Sequence, residues 1–219
     1  MTILKNVYKI KFTPEDESVN KFIQSIKSFG GINVLVPLID LDSQILQSEE
    51  DKKKFYKLIS NKLKIKNFKL LFRSSRDYFS LKTVVDKSNL IFLYSTIGKK
   101  IKDGEKRIFG NYIKIKLDFN KKYKYYDFTD ENAFVFSLNN NKIYKILIPE
   151  NAIRFDGGRR LRISIGNNDN DNGFYFICDE NYIEDGGLLN EPKVYDFEKE
   201  NELTEGYGEL NEFEIFEVS

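Results

Sequence analysis

The first 42 residues combine an alternating hydrophobic pattern with a helical one. Residues 3–12 alternate apolar side chains with lysines, which predicts a β-strand. Thr13 followed by Pro14 is typical of a helix N-terminus, and apolar residues recur at helical spacing within residues 19–26. A pair of glycines and a short apolar run follow. The pattern predicts a short β-α-β extension over residues 1–42 that packs on the main domain.

A second helix is predicted to begin after Ser48. Three acidic residues follow this serine, and their charges are favourable beside the positive end of a helix dipole. The expected buried stripe, at helical spacing, consists of Phe55, Leu58, Ile59 and Leu63. The three lysines at 52–54 then belong to the solvated face of this helix.

Beyond residue 68 the chain changes to short apolar segments separated by turns, which is the pattern of β-strands. The three asparagines at 139–141 favour a tight turn, because asparagine tolerates a positive φ. A short helix is predicted over residues 81–87. We therefore predict an α+β domain over residues 43–219, with two antiparallel β-sheets packed as a sandwich and a few flanking helices. The predicted strands are 68–72, 89–96, 112–117, 132–138, 142–148, 161–165, 173–178 and 212–218.

Composition restricts the chemistry that this domain can perform. The sequence contains no histidine, which excludes Ser-His-Asp and Cys-His catalysis and histidine-ligated zinc. The one cysteine, Cys178, excludes an internal disulfide and a cysteine-rich metal site. The polar loop at 167–173 lacks the glycine and the final glutamate of a calcium-binding EF-hand loop. We expect no catalytic residue, no cofactor and no metal.

Charge is distributed unevenly along the chain, although the net charge is only +1. Residues 1–124 hold about 27 basic and 13 acidic side chains, and the remainder holds about 8 and 21. Such an asymmetry affects the electrostatic field around the protein and the partners that it attracts, and it does not determine the fold. Two interpretations stay open: the halves neutralise each other, or they leave a dipolar surface suited to docking on a charged protein.

The sequence also bears on localisation. No apolar run approaches the roughly 20 residues that a membrane-spanning helix needs, and the N-terminus lacks the cleavage site of a secretory signal. A single cysteine is consistent with a reducing compartment. We expect a cytoplasmic monomer without a transmembrane segment.

Six segments of the main domain, taken in order, resemble the TLDc domain family. Each of them is a weak signal alone, and their order along the chain makes the resemblance specific. The segments are 43–46 (SQIL) at the domain start, 69–80 (KLLFRSSRDYFS, similar to LLYxxSRDGFS), 108–112 (IFGNY, similar to FGxY), 132–138 (NAFVFSL, similar to NAFLFSL), 155–158 (FDGG, similar to FGGG) and 212–218 (EFEIFEV, similar to EVxEV).

The resemblance implies a function as well as the sandwich fold. TLDc proteins are associated with protection against oxidative damage and with binding to the peripheral sector of the vacuolar proton-pumping ATPase. It therefore implies a non-catalytic protein-interaction module, linked to oxidative-stress resistance and to binding and regulation of this ATPase through its peripheral subunits. Tyr78, Asp156 and Arg160 depart from the family pattern. These departures affect the ligand-binding properties expected of the glycine turn and leave the expected fold unchanged.

The glycine turn and the arginines after it form the preferred partner-binding surface. Backbone amides beside arginines bind carboxylates or phosphates, and Arg160 and Arg162 would face alike on a strand. An inward Glu214 would need a cationic partner, for which Arg73 and Arg76 are the candidates. The candidate partner-binding residues are Asp156, Gly157, Gly158, Arg159, Arg160 and Arg162. The motif residues with expected structural roles are Arg76, Asp77, Phe79, Ser80, Phe109, Gly110, Ala133, Phe134, Phe136, Phe155 and Glu214.

Two other functional classes stay open. One is an enzyme, either a carboxylate-driven hydrolase or a peroxide-consuming protein whose activity survives removal of Cys178. The other is a nucleic-acid binder that uses the basic first half, and its affinity would fall steeply with salt. We expect no nucleic-acid partner.

Overall fold

The structure, a computed structural model, covers most of the predicted main domain. The residues described belong to one compact unit, Ile39–Ser219. The predicted extension over residues 1–42 lies outside the described residues except for its last two positions, and it stays a prediction. The described residues are 41–77, 81–98, 106–119, 125–157, 161–165, 174–179, 182–184, 194–198, 203 and 208–219.

Helix α1 (Glu49–Ser60) begins where its sequence predicts. The Ser48 side chain accepts a hydrogen bond from the backbone N–H of Asp51, and three acidic residues occupy the first turn. Phe55, Leu58 and Ile59 are buried, as the apolar stripe predicts. The helix ends at Ser60, so Leu63 lies beyond it and is only half-buried.

The described strands form two antiparallel sheets, which confirms the β-rich part of the predicted fold. The strands are β1 (Phe68–Arg73), β2 (Leu90–Gly98), β3 (Lys106–Ile113), β4 (Tyr125–Phe128), β5 (Phe134–Ser137), β6 (Lys142–Lys145), β7 (Ile153–Gly157), β8 (Leu161–Ile165), β9 (Phe174–Asp179), β10 (Tyr182–Glu184) and β11 (Gly208–Val218). In the six-stranded sheet the order is β1-β11-β2-β3-β5-β6, and in the five-stranded sheet it is β10-β9-β8-β7-β4.

The six-stranded sheet is buried on both of its faces. Phe213 and Ile215 of β11 belong to one cluster of buried side chains, whereas Phe216 and Val218 belong to another. The second cluster includes the buried residues of α1. The first cluster includes residues of both sheets, such as Phe155 of β7. The face-to-face packing of the two sheets as a sandwich stays a prediction.

The predicted strand over 112–117 is wrong in its bounds, because the strand is β3, Lys106–Ile113. Every β3 residue after Lys106 is buried, so the alternation that marks a one-sided strand is missing. The following residues leave the sheet, since the backbone N–H of Lys114 donates to the carboxylate of Asp130 and that of Leu117 donates to the carbonyl of Lys87.

The predicted helix over 81–87 is only one short 3₁₀ turn, Leu81–Thr83. Asp86 and Asn89 adopt φ angles of 60° and 52°, which are incompatible with a continuing right-handed helix. Strands β4, β7 and β10 are further elements that the hydrophobic pattern does not identify.

Candidate functional site

The predicted partner-binding turn connects β7 to β8. Asp156 lies directly opposite Arg162 in the register of these strands, and Gly157 lies opposite Leu161. The hairpin thus brings three of the six candidate residues to its end. Gly158, Arg159 and Arg160 lie outside the described residues, and the role of this turn in binding stays a proposal.

Glu214 of β11 is the fully buried acid of the last strand, and its partner is Arg73. The register of the two strands places Arg73 directly opposite Glu214, and the Arg73 Nε donates to the Glu214 Oε1 at 2.8 Å. Arg76, the other candidate, does not make this contact within the described residues and is half exposed. A buried carboxylate is costly without a cation and donors, and the structure supplies both.

The remaining donors to Glu214 come from the first residues of the domain. The backbone N–H of Gln44 donates to Oε1 at 2.8 Å, and the Ser43 hydroxyl donates to Oε2. The same hydroxyl accepts from the backbone N–H groups of Ile45 and Leu46, which fixes this segment in a turn. Glu214 therefore ties the start of the domain to its last strand.

Arg73 completes this network on its other side. Its Nη2 donates to the backbone carbonyl of Asp42 at 2.9 Å and to the Asp42 Oδ1 at 2.8 Å. Burial alone would lower the pKa of Arg73, but hydrogen bonds to Asp42 and Glu214 outweigh burial and raise the pKa. Sequence reasoning missed Asp42, although its place beside Ser43 at the domain start is a usable signal.

Arg76 and Asp77 form a pair in the turn that follows β1. The Arg76 guanidinium donates two hydrogen bonds to the Asp77 carboxylate, at 2.8 and 2.6 Å. Asp77 also accepts from the backbone N–H of Arg73 at 3.0 Å. The hydrogen bonds from Arg76 lower the pKa of Asp77. This pair shapes the turn, and Phe79 and Ser80 of the same motif lie outside the described residues.

Glu212 is a second buried acid on the same strand as Glu214. Its carboxylate accepts from the Ser74 hydroxyl, from the backbone N–H of Ser75 at 3.1 Å and from its own neighbour Phe213 at 3.1 Å. Burial would raise the pKa of Glu212, but these hydrogen bonds lower it. The two-residue spacing of Glu212 and Glu214 could have identified it, because alternate strand residues share a face.

The aromatic motif residues belong to the packed interior. Gly110 pairs with Phe136 across β3 and β5, and a Cβ atom on Gly110 would lie 2.3 Å from the Phe92 carbonyl oxygen and 2.4 Å from the Phe136 ring. Only glycine fits this position without a shift of its neighbours. The other buried motif residues are Phe109, Ala133, Phe134, Phe136 and Phe155.

Glu212 and Glu214 are thus both held in place by hydrogen bonds. A general acid works with a raised pKa, whereas the pKa of Glu212 is lowered. Among the described residues, no group of three histidine, cysteine or acidic side chains is placed to hold a metal ion. In the same part of the chain, no helix is long and apolar enough to cross a membrane.

Comparison with known families adds one finding. The family model described as the TLDc domain matches residues 41–219, which is nearly the whole unit that contains the described residues. The match includes every residue of the Arg73–Glu214 network. No curated protein matches the sequence.

Proposed function

The chain belongs to the TLDc domain family, and we propose that its domain is a non-catalytic protein-interaction module. The proposal extends to a link with oxidative-stress resistance and to binding and regulation of the vacuolar proton-pumping ATPase through its peripheral subunits. A cytoplasmic monomer without bound cofactor is the form in which we expect it to act.

The proposal rests on one observation: the charged motif residues bond to each other and to neighbouring groups of the domain. Arg73 and Glu214 bond to each other, and Glu212 accepts from Ser74, Ser75 and Phe213. These groups connect the domain start, the first strand and the last strand. The hydrogen-bonding capacity of these charged side chains is already occupied within the domain. This use supports a rigid scaffold whose surface contacts a partner.

The scaffold that we propose is a sandwich of the two sheets. Support comes from one cluster of buried side chains that includes Phe92 and Phe213 of the six-stranded sheet together with Phe155 and Ile163 of the five-stranded sheet. Two sheets that share a core of this kind commonly pack face to face.

The contact surface that we propose from the sequence is the turn between β7 and β8, residues 156–162. Its arginines offer charge-assisted hydrogen bonds to carboxylates. Arg162 pairs in register with Asp156, so a charge reversal there would place two acids opposite each other. Arg159 and Arg160 are the residues to vary, since neither belongs to a described strand.

Affinity purification of the tagged full chain from its native cells tests the proposal. We expect a stable protein partner at stoichiometric yield, with peripheral ATPase subunits among the proteins recovered. Recovery of a different partner would overturn the ATPase link, and recovery of none would overturn the interaction module itself. A chain with Arg159→Glu and Arg160→Glu should recover less partner than one with Lys53→Glu and Lys54→Glu, which has the same net charge.

A further inference from the structure

A pocket ringed by lysines lies where α1, β3, β5 and β6 come together. Its volume is about 480 Å³, which is within the usual range for a binding site. Lys62 and Lys64 follow α1, Lys114 follows β3, and Lys145 ends β6. Three segments distant in sequence thus place four lysines around one opening.

The four lysines lack acidic partners within the described residues. Other lysines in this part of the chain are paired, such as Lys87 with Glu217 and Lys116 with Asp86. Glu131 is the one acidic side chain among the described residues of the lining. Asp130 is also near and is buried, but its carboxylate accepts from the backbone N–H groups of Lys114 and Asn132. The pocket therefore has an excess of positive charge, which favours an anionic occupant.

The lining also includes apolar side chains, and its two aromatic rings are buried. Tyr112 and Phe134 stack with ring centroids 5.1 Å apart, and they are only 4% and 5% exposed. The Tyr112 hydroxyl donates to the Asn89 side chain, and burial raises its pKa to about 12, so it stays protonated at neutral pH. Leu63 and Ile146 are half-buried in the lining, and Leu147, the next residue, is 58% exposed.

These features distinguish between classes of anion. Sequence-independent binding of single-stranded nucleic acid uses exposed aromatic faces on which bases stack, and both rings here are buried. Bidentate recognition of phosphate uses arginine, and none of the described residues that line this pocket is an arginine. Point charges beside the partly exposed Leu63 and Ile146 suit carboxylates that alternate with apolar side chains.

We propose that this lysine-ringed pocket binds an acidic segment of a partner protein, with its carboxylates at the lysines and an apolar side chain against Leu63 and Ile146. The inference rests on the proposed function, because it assumes a protein partner. It adds a second contact surface, separate in sequence from the turn at 156–162, and it specifies the chemistry of the segment that binds there.

The test uses a fluorescein-labelled decapeptide of alternating glutamate and leucine and the full chain. Fluorescence anisotropy measures its affinity for the wild type, for Lys114→Glu with Lys145→Glu, and for Lys53→Glu with Lys54→Glu. Both variants change the net charge equally, and all four lysines are solvent-exposed. We expect binding to weaken at least about tenfold for the pocket variant and to stay within about twofold for the helix variant.

Three results would overturn the inference: no measurable binding to the wild type, equal weakening by both variants, or tighter binding of a single-stranded oligonucleotide of equal charge. Replacing the peptide glutamates with glutamine should abolish binding. Thermal unfolding of each variant verifies folding, and removal of clustered like charges should not lower stability. If affinity purification recovers a partner and the pocket variant retains it fully, that result contradicts this inference alone. If purification recovers no partner, that result contradicts the proposed function.

Discussion

The Nε atom of Arg73 lies 2.8 Å from the Oε1 atom of Glu214, although the two residues are 141 positions apart in the sequence. The contact crosses from the first strand of the domain to the last, where both residues are buried. Ser43 and Gln44 bond to the same carboxylate, so three distant segments meet at one charge. The ion pair therefore connects the start of the domain, its first strand and its last strand.

Replacing Glu214 with glutamine should strongly destabilise the domain. The change keeps the shape of the side chain but leaves the buried guanidinium of Arg73 without its buried counter-charge, since Asp42 is largely exposed. Breaking a buried pair from one side costs about 3–5 kcal/mol. Urea unfolding followed by far-UV circular dichroism measures the free energy of unfolding.

Glu217→Gln is the matched control for that experiment. Glu217 lies on the same strand and approaches Lys87 at 3.6 Å, with both side chains about one-third exposed. Partly exposed pairs of this kind contribute about 0–1 kcal/mol. Equal destabilisation by both substitutions would mean that the Arg73–Glu214 pair is no more important than a surface contact.

Stability should fall in acid through Glu212. Its folded-state pKa is lowered below 4.5, so its contribution is complete above that value and is lost as the pH falls through the folded pKa. Glu212→Gln should cost about 1.5–3 kcal/mol at pH 7, because hydrogen bonds to a charged group are lost. The difference from wild type should shrink towards pH 3.

Urea unfolding at a series of pH values between 7 and 3 provides this comparison. Glu131→Gln serves as the control, since it removes one acidic charge at an exposed position. A wild-type curve parallel to that of the Glu212→Gln variant would show that Glu212 does not contribute to the acid dependence.

Gly110→Ala should destabilise the domain by several kcal/mol. The added Cβ would overlap the carbonyl oxygen of Phe92, which is fixed in the neighbouring strand, as well as the Phe136 ring. Replacing Phe136 with leucine in the same chain relieves only the second overlap, so it should restore little stability. Thermal unfolding of the two variants distinguishes this result from full rescue, which would show that the backbone contact is tolerated.

Local sequence signals predicted part of the fold because they act over a few residues. Ser48 caps α1 through its own side chain, and Asn141 adopts a φ of 51° at the turn where asparagines are clustered. The pairing of Glu214 with Arg73 was one of two alternatives, since the cost of a buried acid requires a nearby cation. The register of β1 and β11 decides between them.

Other features depend on tertiary structure that a local pattern does not contain. Strand β3 is covered on both faces, so its residues do not alternate and its bounds were predicted wrongly. The lysine-ringed pocket assembles residues from four segments, among them Lys62 and Lys145, whose proximity follows only from the tertiary structure. Lys62, Lys64 and Lys114 belong to the basic first half of the sequence, whereas Lys145 comes from the acidic remainder.

Tyr94 and Asn111 provide a test of coupling inside the core. The Tyr94 hydroxyl donates to the Asn111 Oδ1 at 2.9 Å, and both residues are fully buried. The Asn111 Nδ2 has no hydrogen-bond partner among the described residues. Tyr94→Phe leaves the buried Asn111 amide without this donor, and an unsatisfied buried group costs about 1–3 kcal/mol, whereas replacing both polar groups with apolar ones is nearly neutral.

We therefore expect Tyr94→Phe and Asn111→Leu each to destabilise the domain, and the double variant to be more stable than the sum of the two losses predicts. Phenylalanine keeps the stacking of residue 94 on Phe213, where the ring centroids lie 5.1 Å apart, so the first change isolates the hydroxyl. A double-mutant cycle by urea unfolding should give a coupling energy of about 1 kcal/mol or more. Additive losses would contradict this expectation, because they would mean that neither polar group depends on the other for its hydrogen bond.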